Sequence, residues 1–192
     1  YSFLQDGPRR AAFRRELQGY VDHWERIDIY MRKFRRSFLD LYDQHRHERI
    51  SPDRFQAEVT GLFSERIVPF NGLFAEGFCL DRDALLDSIQ TRVVAKLNRT
   101  KNKVDANNGF SERELMDNIE TAFRSGFYTH FRGVMNQAKA GEIEISDVKR
   151  IANYYFVREF CYGSMFRFNS SGGFNVPYGG MEWVLEIVQK WR

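Results

Sequence analysis

Cysteine is nearly absent. Cys79 and Cys161 are the two in 192 residues, and neither belongs to a C-x-x-C pair. That count excludes a disulfide scaffold and a cysteine-built zinc site, so both thiols are expected to be buried in a reducing compartment. Proline is scarce, and Pro8, Pro52, Pro69 and Pro177 never adjoin. With 14 Gly against 18 Phe and 9 Tyr, the composition speaks for packed helices rather than a turn-rich β sandwich. No Gly-x-Gly occurs anywhere, and no glycine-rich loop carries the lysine of a phosphate cradle. No apolar run approaches the roughly 18 residues of a membrane span. The first residues lack a charged-then-apolar leader, so a cytoplasmic location is expected, with no membrane partner. Charge of one sign is also lacking: 29 Lys+Arg against 26 Asp+Glu leaves +3. Such a balance is compatible with nucleic acid without being diagnostic of it.

What is present is helical periodicity. Phe13, Leu17, Tyr20, Trp24, Ile27, Met31, Phe34, Phe38 and Leu41 recur at alternating spacings of 4 and 3, one unbroken apolar stripe. The stripe follows Pro8, a residue suited to a helix start. Arg14, Arg15, Arg32, Lys33, Arg35 and Arg36 lie between its positions and predict a solvated basic face. Bulky aromatics in place of Leu, Ile and Val favour antiparallel helix packing over a coiled coil. A second helix begins at Ser51, Pro52 and Asp53, with Phe55, Val59, Leu62 and Phe63 on one face. A third spans Asp81 to Asn98 through Leu85, Leu86, Ile89, Val93 and Leu97, and a polar connector from Arg99 to Gly109 follows it. Ser111 and Glu114 form a capping box ahead of Leu115, Ile119, Ala122, Phe123 and Phe127, in a helix expected to end at Gly141. Ser146 caps a fifth helix, with Val148, Ile151, Ala152, Tyr155 and Phe156 inward.

After Tyr162 the pattern alternates. Residues 165–169 and 174–178 are aromatic-rich and are separated by Ser170, Ser171, Gly172 and Gly173. This predicts a β-hairpin or an extended loop pair. Residues 181–192 read as a short terminal helix. His23, Asp43, His45 and His47 do not make a metal site, because helix positions two apart diverge; exposed helix-end histidines are expected. Ser164 and Ser170 lack the histidine and carboxylate of a hydrolase at a recognisable spacing.

The stretch from Arg158 to Asn169 ends in Arg167-Phe168-Asn169, and a glycine turn then leads into Phe174-Asn175-Val176-Pro177-Tyr178-Gly179. R-[FY]-N, a short turn and F-N-V-P-[FY]-G together resemble the D12 class of adenine-specific DNA N6-methyltransferases, the Dam-like family. Residues 125–132 and Asn136 also look like longer members of that class. The close resemblance covers residues 154–180. It implies that this ribbon belongs to a target-recognition region that enters double-stranded DNA. It implies that Arg167 reads a guanine through its planar fork and that Tyr162 wedges into the duplex beside an extruded adenine. Asn169, Asn175 and Pro177 match positions that shape the loop or approach the DNA. Taken without the resemblance, Arg167 reads as a hairpin arginine held in an ion pair, and Tyr162 as a core tyrosine at a helix end. Gly163 and Gly180 depart from the family pattern, at a position often polar and at one sometimes arginine, so no recognition sequence such as GATC carries over.

The family's S-adenosylmethionine loop, F-x-G-x-G, is missing. Residues 69–74 imitate only its first half. Its D-P-P-Y is absent by count, since no two prolines adjoin. No catalytic, cofactor-binding or metal-binding residue is therefore expected on this chain. S-adenosylmethionine would serve the complete enzyme, and a catalytic core in the same or another chain would be the partner. The first residue is Tyr1 rather than Met, which favours a fragment over a split subunit or an inactive DNA-binding remnant. The expectation is a mainly α chain of long amphipathic helices with one β-hairpin, the target-recognition insert of an α/β methyltransferase. Residues 1–150 would be helical, 151–180 a helix end with the recognition hairpin, and 181–192 a terminal helix. A helical protein–protein interaction module built on the long stripe is the rival expectation.

Overall fold

The computed structural model describes residues 6–64, 79–104 and 110–180. Five helices follow in order: α1 Gly7–Arg46, α2 Pro52–Ser64, α3 Arg82–Val104, α4 Glu112–Ala140 and α5 Asp147–Phe160. The chain is mainly α. Among the described residues no helix is long and apolar enough to cross a membrane. The segments 69–74 and 181–192, expected as a loop and a helix, lie outside the described residues.

Local chemistry sets the helix ends. At the start of α4, Ser111 N donates to Glu114 Oε2 at 2.8 Å while Glu114 N donates to Ser111 Oγ at 3.3 Å, the expected reciprocal box. The Ser111 hydroxyl, which donates to the same Oε2 at 2.7 Å, and the Ser111 N–H hold the Glu114 carboxyl below its ordinary range. Gly141 takes φ +76° just past the end of α4, where a side chain would be strained. Ser146 Oγ accepts from Lys149 N at 3.2 Å and caps α5. Helix α3 runs six residues beyond the expected Asn98, to Val104. Thr100 explains part of that extension: it is buried, and its hydroxyl bonds back to Lys96 O at 2.9 Å. A polar composition had concealed an inward-facing turn.

The chain divides into two compact units, Glu25–Gly126 and the combination of Tyr1–Trp24 with Phe127–Arg192. In the first unit, Phe34 and Phe38 of α1, Phe55 and Phe63 of α2, Ile89 and Val93 of α3 and Phe123 of α4 are buried. Their rings interlock: Tyr30 lies 4.4 Å from Phe34, and Phe63 lies 5.8 Å from Phe123. Each such side chain contributes about 1.5–3 kcal/mol through removal from water. At Gly126 a Cβ would fall 2.4 Å from Ile89 Cα, so α3 and α4 touch backbone to backbone there.

His45 departs from expectation. It is buried, stacked 3.9 Å from Phe55 at 9°, with Nε2 2.8 Å from Asn98 Oδ1. The apolar wall of Phe55 covers a helix end that the periodicity left open. Among the described residues no cluster of His, Cys, Asp and Glu could hold a metal. Burial holds the His45 imidazole below the ordinary value of 6.5, against the hydrogen bond to Asn98. The folded protein therefore resists protonating it more than the unfolded chain does. This stability contribution is whole above about pH 6.5 and is lost as pH falls from there through the depressed folded value. Melting temperature is expected to drop between about pH 7.5 and 5.5, and His45→Gln is expected to flatten that drop. Equal slopes in the two proteins would refute the assignment.

In the second unit the core is a pile of rings. Tyr20 stacks on Phe156 at 4.8 Å, Trp24 sits 4.6 Å from Phe160, and Phe127 lies 4.9 Å from Phe131. Helix α5 is turned relative to its predicted face. Lys149, Ala152, Asn153, Phe156, Val157 and Phe160 are buried, while Val148, Ile151 and Tyr155 are only partly covered. The aromatic pile selects Phe156 and Phe160 as the inward line and rotates the rest accordingly. Cys161 is buried, and burial pushes its thiol up; Cys79, expected buried, is half-covered.

Candidate nucleic-acid interface

Helix α5 ends where Cys161 turns extended and forms an antiparallel bridge with Tyr178. Tyr162 N donates to Pro177 O at 2.9 Å and Gly179 N to Phe160 O at 3.0 Å, so the two ends of the ribbon are tied together. A single 3-10 turn, Tyr162–Ser164, follows. Gly163 and Ser164 take φ +61° and +49° in it. Glycine tolerates this, whereas the serine holds strain of order 1–3 kcal/mol. The reversal throws the next side chains outward: Tyr162 is 56% exposed, Met165 40%, Phe166 57% and Phe168 50%. A tyrosine expected on residue grounds in the core is thus a surface ring.

The ribbon is narrower than a hairpin of two strands. Phe168 and Phe174 form one antiparallel bridge, flanked by Asn169 N to Gly173 O at 2.8 Å and Asn175 N to Arg167 O at 3.1 Å. No strand forms among the described residues. Asn169 folds the tip: its Oδ1 accepts from Gly173 N at 2.7 Å and from Ser171 Oγ at 2.9 Å, an Asx-type turn. The Asn169 role is local shape.

Helix α4 takes the place of a neighbouring strand. Tyr128, Arg132, Asn136 and Lys139 recur at spacings of 4, 4 and 3, so they share one face. Tyr128 OH and Arg132 Nη1 each donate to Val176 O at 2.9 Å. Asn136 Oδ1 accepts from Phe174 N at 2.9 Å while its Nδ2 donates to Phe174 O at 3.1 Å. Lys139 Nζ reaches Gly172 O at 2.8 Å. Burial raises the Tyr128 pKa well above the ordinary phenol value, so it stays a donor. Tyr178 closes the base, with its ring 5.7 Å from Trp24 and 5.9 Å from Tyr128. Of these supports, the family resemblance had marked Tyr128, Arg132 and Asn136 without giving them a role. The polar line at helical spacing was the signal for Lys139.

Arg167 stands exposed on this scaffold. Its Nε donates to Asn175 Oδ1 at 2.9 Å and its Nη2 to Asn175 O at 3.1 Å. One edge of the guanidinium is clasped, and no acidic partner occupies the other among the described residues. Asn175 is half-covered and holds the arginine; Pro177 is exposed at the ribbon's base. Cations flank the exposed rings, Arg158 at 5.5 Å from the centroid of Phe166 and Lys139 at 4.7 Å from that of Phe168. Arrayed this way, the ribbon offers a preset planar donor, exposed aromatic rings and positive charge together.

No family model matches the chain, and no solved structure matches it. Over 69 residues the chain is related to a methyltransferase, at 35% identity. That relative is the type II methyltransferase M.MjaIII of Methanocaldococcus jannaschii, and the shared stretch is 36% of this chain and 23% of that protein. The match therefore spans about a quarter of the relative's length.

Proposed function

We propose that this chain is the DNA-binding, target-recognition portion of a site-specific adenine-N6 DNA methyltransferase of the Dam-like class. The clasped, exposed Arg167 carries the reading. With Nε and one face of Nη2 held by Asn175, the Nη1 and Nη2 end remains to donate twice, which suits guanine O6 and N7 in the major groove. Tyr162, five residues earlier, presents an exposed ring suited to filling the gap left by an extruded adenine. Asn169 and Pro177 shape the ribbon, Asn175 orients Arg167, and Arg158 and Lys139 supply charge toward phosphates. The similarity to a methyltransferase supports the class, and such a role would place the protein on the nucleoid.

The complete enzyme would move a methyl group from S-adenosylmethionine to the adenine exocyclic nitrogen. This chain does not fit that cofactor: no Gly-x-Gly occurs in the sequence, and no strand precedes a glycine loop among the described residues. The catalytic core belongs to another segment, in the same or another chain. A reading frame with F-x-G-x-G upstream and D-P-P-Y downstream would agree with this.

Binding to duplex DNA settles the matter. The affinity of the chain is expected to fall linearly in log salt as phosphate contacts release counterions. Arg167→Ala is expected to remove about 1–3 kcal/mol of discrimination between duplexes selected by the chain and scrambled ones. Arg158→Ala is expected to weaken all duplexes alike and reduce the salt slope by about one. A chain that ignores duplex DNA at low salt would overturn the proposal.

A further inference from the structure

We infer that Asn136 is a positioning residue for Arg167. The inference rests on the DNA-reading role proposed above. Asn136 presents one acceptor and one donor in a plane, and Phe174 N–H and C=O engage both, at 2.9 and 3.1 Å. That is the pair of bonds a neighbouring strand would supply. Phe174 is buried, and its ring meets Phe168 at 5.7 Å. The next residue is Asn175, whose side-chain and main-chain oxygens both accept from Arg167. Val176 O, one residue further on, is held by Tyr128 and Arg132. Asn175 is therefore pinned on both sides by α4, and Asn136 holds the side toward the tip. Without it, Phe174 keeps two polar groups with no strand to receive them. The return leg must then shift to find water, and Asn175 shifts with it. Arg167 keeps its charge and loses its bearing.

A residue that acts through Arg167 has a distinctive signature. Asn136→Ala in the full chain is expected to lose roughly tenfold in discrimination between wild-type-selected and scrambled duplexes, within the range of one bidentate base contact. Affinity for scrambled duplex is expected to stay within about twofold, because phosphate contacts carry it. Asn136→Ala combined with Arg167→Ala is expected to discriminate no worse than Arg167→Ala alone. A general loss of packing would not produce that non-additivity. Asn136→Asp keeps the acceptor and loses the donor, so an intermediate loss is expected; it carries the same cycle if the alanine variant does not fold by circular dichroism. Full discrimination in a folded Asn136 variant, or losses that add in the double variant, would overturn the inference while leaving the DNA reading intact. Failure of the wild-type chain to bind duplex would instead overturn the DNA reading itself.

Discussion

Arg124→Leu is expected to cost about 3 kcal/mol of folding stability at neutral pH, within the range for removing one partner of a buried ion pair. Arg124 is buried, its Nε donates to Glu120 Oε1 at 2.7 Å, and its Nη2 is paired with Asp28. Leucine fills comparable space and brings no desolvation cost of its own. The penalty comes from the carboxylate left behind. Asp28 is half exposed and turns to water, whereas the Glu120 side chain is only 17% exposed and cannot. Burial already raises the Glu120 carboxyl above its ordinary value, with Arg124 pulling it back. Loss of the guanidinium raises it further. For a carboxyl with a raised folded pKa, stability is whole at low pH and lost as pH rises through the folded value. The gap between variant and wild type in urea melts is therefore expected to widen from about pH 5 to about pH 8. Adding Glu120→Leu should recover most of it. A gap that does not change with pH would assign the loss to packing rather than charge.

Gly126→Ala is expected to cost about 1–3 kcal/mol, the cost of forcing extra volume into a packed core. Alanine is worth roughly 1 kcal/mol more than glycine as a helix former, so propensity alone predicts a gain. Sterics decide against it. The added Cβ would meet Ile89 Cα at 2.4 Å, Ser88 O at 2.8 Å and Ile89 N at 2.9 Å, all backbone atoms that cannot rotate aside. Separation of the helices would also stretch the bond from Ser88 Oγ to Gly126 O, now 2.9 Å. Gly133 of the same helix is the internal control, since a Cβ there meets nothing within 4 Å. Gly133→Ala should raise the melting temperature while Gly126→Ala lowers it. The same sign for both would refute the close crossing.

Much of this architecture was legible from residues alone, where local chemistry decides. The stripe from Tyr20 to Leu41 is buried position by position, and the basic residues between its members are exposed. Ser111, Glu114, Gly141 and Ser146 act as caps because capping involves only near neighbours. What periodicity did not show depends on distant partners. His45 is buried by Phe55, Thr100 extends α3, and the aromatic pile rotates α5 toward Phe156. At the site, the residues marked by resemblance are outward or half-covered, and the clasp of Asn175 on Arg167 follows from a register that alternation suggested. The role of this α4 face was not legible, because its four polar side chains serve main-chain groups some 33 to 48 positions away.

A ribbon that borrows its frame from a helix has an unusual freedom at its tip. Ser170 and Ser171 lie beyond the Asn169–Gly173 closure and bear none of the bonds that orient the guanidinium. The turn can therefore lengthen, shorten or accept a graft while the Arg167 guanidinium keeps its direction. In this protein the reach of the loop and the aim of its arginine are separately adjustable.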